Sequence, residues 1–226
     1  MRSFILSGTG PGAGRTTVGC ALAFAFKVRG LRVGVMKPAA TGCVSSDRGL
    51  ADDDATALIA AASSDLPLQL VAPYRYRSPL TPLTPLEAAR ADGVIPPEFA
   101  AIDRSLAEIE SRRDVVLVED THGLAARLDA THDFADLALA HHLELILVVG
   151  VAARRPDFAD AASRALQFAT ARGVSLCGAI LNALDREAND LVGGASEDLA
   201  RATGAPMLGT VRFKEPLSLA IVEKLL

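Results

Sequence analysis

An α/β fold, with a mainly parallel sheet flanked by helices on both faces, is predicted by three features of this 226-residue chain. Short runs rich in Val, Ile and Leu recur, and most are continuous rather than alternating, as in strands buried on both faces. Helix-like segments separate these runs, so strand and helix alternate. The composition, 50% hydrophobic and 22% charged, buries a core and lies far from disorder.

The elements follow in order. Residues 4–6 form the first apolar run. Residues 16–29 are alanine-rich and stop at Gly30, which turns the chain tightly into the run at 33–36. Residues 52–62 open on acids, as a helix N-terminus prefers. Residues 78–90, SPLTPLTPLEAAR, repeat Pro-Leu-Thr. The prolines favour an extended, polyproline-like path before a helix at Leu86, which reads equally as a rigid surface loop and as a pocket wall. Residues 97–112 place Phe99, Ile102, Leu106 and Ile109 at helical spacing. Strand-like runs at 115–118, 143–149 and 176–181 surround a helix-like segment at 158–171, with a second glycine turn at Gly173. No linker and no domain-sized duplication interrupts the pattern, so residues 1–226 read as one domain.

A net charge of −4 and a pI near 5.6 disfavour nucleic-acid binding. Cys20, Cys43 and Cys177 are odd in number, widely spaced and form no CxxC pair. They fit reduced thiols in a cytoplasmic protein rather than a disulfide framework or a zinc site. Met1 and Arg2 lead directly into a strand-like run, so no signal peptide is expected. No run reaches the roughly 18 apolar residues of a membrane span.

The chemistry concentrates in GTGPGAGRTT, residues 8–17. The stretch follows a buried-type strand and opens a helix. Backbone N–H groups of such a loop, with the positive helix end, make an anion site. Gly12, Ala13, Gly14, Arg15, Thr16 and Thr17 are the candidate phosphate contacts, and the Thr16 hydroxyl is placed to ligate Mg²⁺. The strict nucleotide-loop pattern fails twice, because Thr9 stands where a glycine is wanted and Arg15 where a lysine is. Arginine keeps the charge and adds a planar fork, but it is bulkier and is not a conservative exchange. Carboxylates near the phosphates complete such a site. Glu119 ends the run VVLVE, at the strand edge where open α/β sheets bind ligands. Asp54 lies in LADDDATAL, which fits both an acidic first helical turn and a metal ligand. Lys37 ends another run, VGVMKPAATG, and would face the same edge, although most lysines are simply surface residues.

Together these segments resemble the dethiobiotin synthetase family, of the P-loop nucleotide hydrolase superfamily. GTGPGAGRT resembles that family's loop GTxTxVGKT, KPAATG its KPxxSG, and Asp54 to Leu58 its DxxxL. APYRYRSPLTPLTPLEAA is similar to its PYxFxxPxSPHxAA, VLVEDTHG to VLVEGAGG, Gly178 to Asn182 to GxxxN, and Ala205 to Gly209 to APLLG. The resemblance runs in order along almost the whole chain. It implies a cytoplasmic homodimer that uses ATP, Mg²⁺ and CO₂ to close a ureido ring on 7,8-diaminononanoate. It implies that Thr16, Asp54 and Glu119 hold Mg²⁺, that Arg15 takes the phosphate-binding lysine's place, and that Lys37 and Thr41 hold the carbamate and transferring phosphoryl group. It further implies that Asn182 reads the adenine edge, with Pro206 beside the ring.

The departures cluster. Pro11 removes a loop donor. Asp120, Thr121 and His122 stand where the family has glycines facing the substrate, and AARRPDF at 152–158 replaces a substrate-contact segment. His122 reads as a loop cap or as a titrating group. Three functional readings remain: the carboligase or a relative with another substrate, a nucleotide-binding protein with little turnover, and a switch ATPase of the cell-division or partition type. The last loses ground because Gly8-Thr9-Gly10 lacks that type's second lysine.

Overall fold

The computed structural model describes residues 2–47, 49–78, 84–153 and 157–226. β1 (Arg2–Gly8) leads through the glycine-rich loop into α1 (Arg15–Val28), and β2 (Val33–Met36) follows. Short strands β3 (Ala39–Ala40), β4 (Val44–Ser46) and β5 (Gly49–Ala51) precede α2 (Asp53–Ala62), α3 (Leu68–Val71) and β6 (Tyr74–Arg75). Then come α4 (Pro85–Asp92), α5 (Phe99–Glu110), β7 (Val115–Glu119) and α6 (Phe134–Ala140). β8 (Glu144–Val151), α7 (Phe158–Arg172), β9 (Leu176–Ala183), α8 (Ala188–Thr203), β10 (Met207–Val211) and α9 (Leu219–Leu225) complete the order.

Six strands pair in the order β10-β9-β8-β1-β7-β2, and every pairing is parallel. The chain steps one way along this sheet from β1 to β2 and the other way from β7 through β8 and β9 to β10. Right-handed crossovers therefore put α1 on one face and α6, α7 and α8 on the other. α1 packs with α2 and α9, whereas α7 packs with α8 and α5 with α6. Coverage on both faces explains why β1, β2, β7 and β8 are nearly continuous apolar runs. The amphipathic C-terminal segment docks as α9, which buries Ile221, Val222 and Leu225. The start of the Pro-Leu-Thr repeat, residues 79–83, lies outside the described residues. The helix expected after it is α4, opened by a capping box between Thr84 and Glu87.

Register sets the site. Leu6 pairs with Glu119 and Gly8 with Val148, so the carboxyl ends of β1, β7 and β8 lie side by side. β1 is also where the strand order reverses, the point at which open α/β sheets form their ligand crevice.

Candidate nucleotide-binding site

The loop between β1 and α1 is fixed at both sides. Thr9 N donates to Val148 O at 3.1 Å, and Val18 N donates to Gly14 O at 2.9 Å. Gly14 caps α1 in the left-handed conformation, φ 88°, without a side-chain cap. A Cβ there would lie 2.0 Å from Asn182 Nδ2, so only glycine fits. A Cβ on Gly150 would lie 2.9 Å from the Ala13 backbone, so β8 presses directly on the loop. Among the described residues, the N–H groups of Gly12, Gly14, Arg15 and Thr16 donate to no protein acceptor. They are the free donors of a helix start, aimed into a cavity of about 450 Å³ lined by residues 11–17, Lys37, Asp54 and residues 119–122.

Lys37 stands at the end of β2 and is buried, 2% exposed. Its Nζ pairs with Asp54 Oδ2, lies 3.3 Å from Glu119 Oε1 and 3.7 Å from Asp52 Oδ2. Asp52 also caps α2 by accepting from Ala55 N at 2.8 Å, which carries Asp54 to the cavity rim. Thr16 Oγ1 donates to Glu119 Oε1 at 3.0 Å. The other Glu119 oxygen, Oε2, is buried with no partner among the described residues. Burial pushes the Glu119 carboxyl above the ordinary range despite Lys37, and Asp54 pushes it the same way. Burial likewise lifts Asp52. Burial pulls the Lys37 ammonium down, but Glu119, Asp52 and Asp54 outweigh it and hold it above its usual value. The Cys20 thiol, lifted to about 11 by burial and then by Glu119 and Asp54, registers the same negative field.

This cluster has room for more positive charge. Among the described residues no three His, Cys, Asp or Glu side chains converge as a metal-binding group. Mg²⁺ needs fewer, because it takes one or two carboxylates and completes its shell with phosphate and water. The orphaned Glu119 oxygen, the half-exposed Asp54 and the Thr16 hydroxyl are hard oxygen donors of that kind.

Arg15 departs most from a lysine-bearing loop. Its Nη1 donates to Asp120 Oδ1 at 2.6 Å, with side-chain exposures of 13% and 0%. Asp120 Oδ1 also accepts from Gly123 N at 3.1 Å, so one carboxylate ties the loop cation to the turn after β7. Nothing in the sequence marks this pair, since its members lie 105 positions apart.

The remaining expected residues divide. Thr17 lines the cavity and is exposed. Thr41 is buried with an unpartnered Oγ1 but does not line the cavity. Asn182 is buried beside the loop, where its Nδ2 donates to Ala13 O at 3.0 Å, so its amide clamps the loop. Pro206 is not brought to the site. It precedes β10, exposed, and its carbonyl accepts from Ala179 N, three residues before Asn182 along β9. Parallel strands put that position toward the amino edge of the sheet, away from the loop. His122, with φ 71°, lines this cavity and an adjoining one of about 280 Å³. Of the altered segment 152–158, residues 154–156 lie outside the described residues.

The chain matches the AAA domain family over residues 2–220. It is 38% identical over 149 residues to the ATP-dependent dethiobiotin synthetase BioD of Xanthomonas oryzae pv. oryzae, a match covering 66% of this chain and 65% of that protein's length. It is 36% identical over 183 residues to the same-named protein of Xanthomonas euvesicatoria pv. vesicatoria, covering 81% and 79% of the two chains. The Xylella fastidiosa relative is 32% identical over 185 residues, covering 82% and 79%. Among solved structures, the MinC:MinD cell division protein complex of Aquifex aeolicus gives a TM-score of 0.57 at 14% identity, covering 99% of this chain and 86% of that one. A ParA family ATPase from Chlorobium tepidum gives 0.51 at 17% identity, covering 99% and 88%. Identities that low carry the fold alone, a parallel sheet flanked by helices of the P-loop NTPase type. No helix among the described residues is long and apolar enough to cross a membrane. With 36% identity across most of a dethiobiotin synthetase, the chain belongs to the dethiobiotin synthetase family.

Proposed function

We propose that the chain is an ATP- and Mg²⁺-dependent carboligase that closes a ureido ring on 7,8-diaminononanoate with CO₂, the reaction of dethiobiotin synthesis. The observation that carries this reading is the meeting of Lys37, Thr16, Asp54 and Glu119 at the mouth of a loop with free N–H donors. Such chemistry is positioning and charge neutralisation, not strong base catalysis.

One substrate amine attacks CO₂ and loses a proton, giving a carbamate. The carbamate oxygen attacks the γ-phosphorus and ADP leaves. The second amine attacks the carbonyl carbon of the mixed anhydride, and phosphate leaves as the ring closes. The free N–H groups of Gly12, Gly14, Arg15 and Thr16 hold phosphate oxygens. Lys37, freed from Asp54, follows the transferring phosphoryl group as a compact charge. Thr16, Asp54 and Glu119 would hold Mg²⁺, which supplies neutralisation of phosphate charge. Asn182 holds the loop from behind. The protein is proposed to work as a homodimer in the cytoplasm.

The Arg15–Asp120 pair favours a second reading, in which nucleotide binds and turnover is small, because the loop cation is already neutralised. A phosphate-release assay with Mg·ATP and bicarbonate, with and without 7,8-diaminononanoate, separates the two. Release that requires the diamine supports the ligase, and nucleotide binding without release supports the second reading.

A further inference from the structure

Asp120 is the most deeply buried acid of the site, 0% exposed, and only half of its carboxylate is used. Oδ1 accepts from Arg15 Nη1 and Gly123 N, whereas Oδ2 has no partner among the described residues. Its neighbour His122 also has an unpartnered Nε2. Burial and then the Arg15 charge push the His122 imidazole below its usual value. A buried acceptor without a donor is costly, and native structures rarely leave one so. Around the cavity, two cations, Arg15 and Lys37, face the three carboxyl groups that line it, and the Mg²⁺ that Asp54 and Glu119 would hold leaves Asp120 paired with Arg15 through Oδ1 alone. A ligand that brings a cationic donor answers the missing hydrogen bond at Asp120 Oδ2. His122 and Gly123 also line the adjoining cavity, whose walls include Leu124, Leu147 and Phe168. An aliphatic stem attached to the donor would pass these apolar side chains, with Ser7, Thr9 and Arg164 on the same walls.

We propose that Asp120 Oδ2 and His122 form an ammonium subsite, which binds a primary amine on an aliphatic stem beside the phosphate loop. The inference rests on the phosphoryl-transfer reading of the site and names the group through which the second substrate is recognised. Asp120 is then a binding residue for the amine as well as the anchor of Arg15. A carboxylate at the same place would meet Asp120 and be repelled.

The test is calorimetric titration of the full chain, loaded with Mg²⁺ and a non-hydrolysable ATP analogue. The probes are 1,2-diaminopropane, butyrate and 7,8-diaminononanoate. The wild type is expected to bind 1,2-diaminopropane and not butyrate. Asp120→Asn, which keeps the shape but turns one oxygen into a donor, is expected to weaken 1,2-diaminopropane by at least about tenfold, the scale of one charged hydrogen bond. Wild-type binding of butyrate in preference to the diamine overturns the subsite without reliance on any variant. So does unchanged diamine binding in a folded Asp120→Asn protein, including the case in which only nucleotide binding tightens and Asp120 proves to be a plug on the loop. The two readings fail separately. Diamine binding lost in Asp120→Asn, with no phosphate release from 7,8-diaminononanoate in the wild type, sinks the ligase and keeps the subsite. Such release, with diamine binding indifferent to Asp120, sinks the subsite and keeps the ligase.

Discussion

At the residue scale, Lys37 is the centre of the site because one buried ammonium serves three carboxyl groups. Lys37→Met removes the charge and leaves Glu119 and Asp52 buried without it. Urea unfolding is expected to show a loss of about 3–5 kcal/mol, the usual consequence of breaking a buried pair from one side. A loss below about 1 kcal/mol would mean that the acids are neutral whatever Lys37 does. Asn182→Ala removes the amide that holds Ala13 O, worth roughly 1 kcal/mol, and frees the loop behind Gly14. Weaker Mg·ATP binding by calorimetry is the expected result. Lys37, Glu119 and Thr16 were legible in the sequence because each stands where a strand ends or a helix begins at the same sheet edge. Asp120 could be seen as an intruding charge, but its partner could not, since a long-range pair leaves no local pattern. The family resemblance implies that Asn182 and Pro206 flank one ring. Strand direction separates them, and motif order alone does not reveal direction.

At the element scale, caps and seams position what the strands present. Asp52 caps α2 and touches Lys37, so Asp52→Ala loosens the turn that carries Asp54. A cap loss of about 1 kcal/mol is expected, readable as a lower melting midpoint. The α5–α6 seam carries a pH-sensitive contact, because His141 Nδ1 meets Glu110 Oε2 at 2.8 Å and Nε2 meets Asp103 Oδ1 at 3.1 Å. Burial pulls the imidazole down, but Glu110 and Asp103 outweigh it and raise its value. Its stabilisation is therefore full below the unfolded value, near pH 6.5, and is lost as pH rises through the folded value. Glu110, lowered by His141 and Ser3 against burial, contributes above its unfolded value and loses that on acidification. The urea midpoint of wild type relative to His141→Gln should fall as pH rises beyond the unfolded value, about 6.5. A flat difference would assign the seam no role in stability. The helix-like segments read from the sequence are present as α1, α2, α5 and α7, because alanine content, acidic starts and 3.6 periodicity agree there. Gly193 and Gly194 weaken the helical pattern of α8, and packing of Val192, Ala195 and Leu199 overrides that local weakness. In β10, Gly209 breaks a five-residue run, and pairing with β9 rescues it.

At the scale of the whole molecule, the sheet order gathers residues from the start, middle and end of the chain at one crevice. Alternating strands and helices made the fold class legible. The strand order was not, since it depends on register and crossover direction rather than on composition. A ligand that closes this crevice should stabilise the whole fold, by about 2.7 kcal/mol at a hundredfold excess over Kd. Mg·ATP is therefore expected to raise the melting midpoint, and ATP with a chelator much less, because the acids around Lys37 repel an uncompensated triphosphate. The most direct test of the central claim is phosphate release by the wild-type chain from Mg·ATP and bicarbonate, measured with and without 7,8-diaminononanoate. Release that appears only with the diamine, with one phosphate per ring closed, is the predicted result. Nucleotide bound without diamine-dependent release would contradict the ligase reading and leave a nucleotide-binding protein in its place.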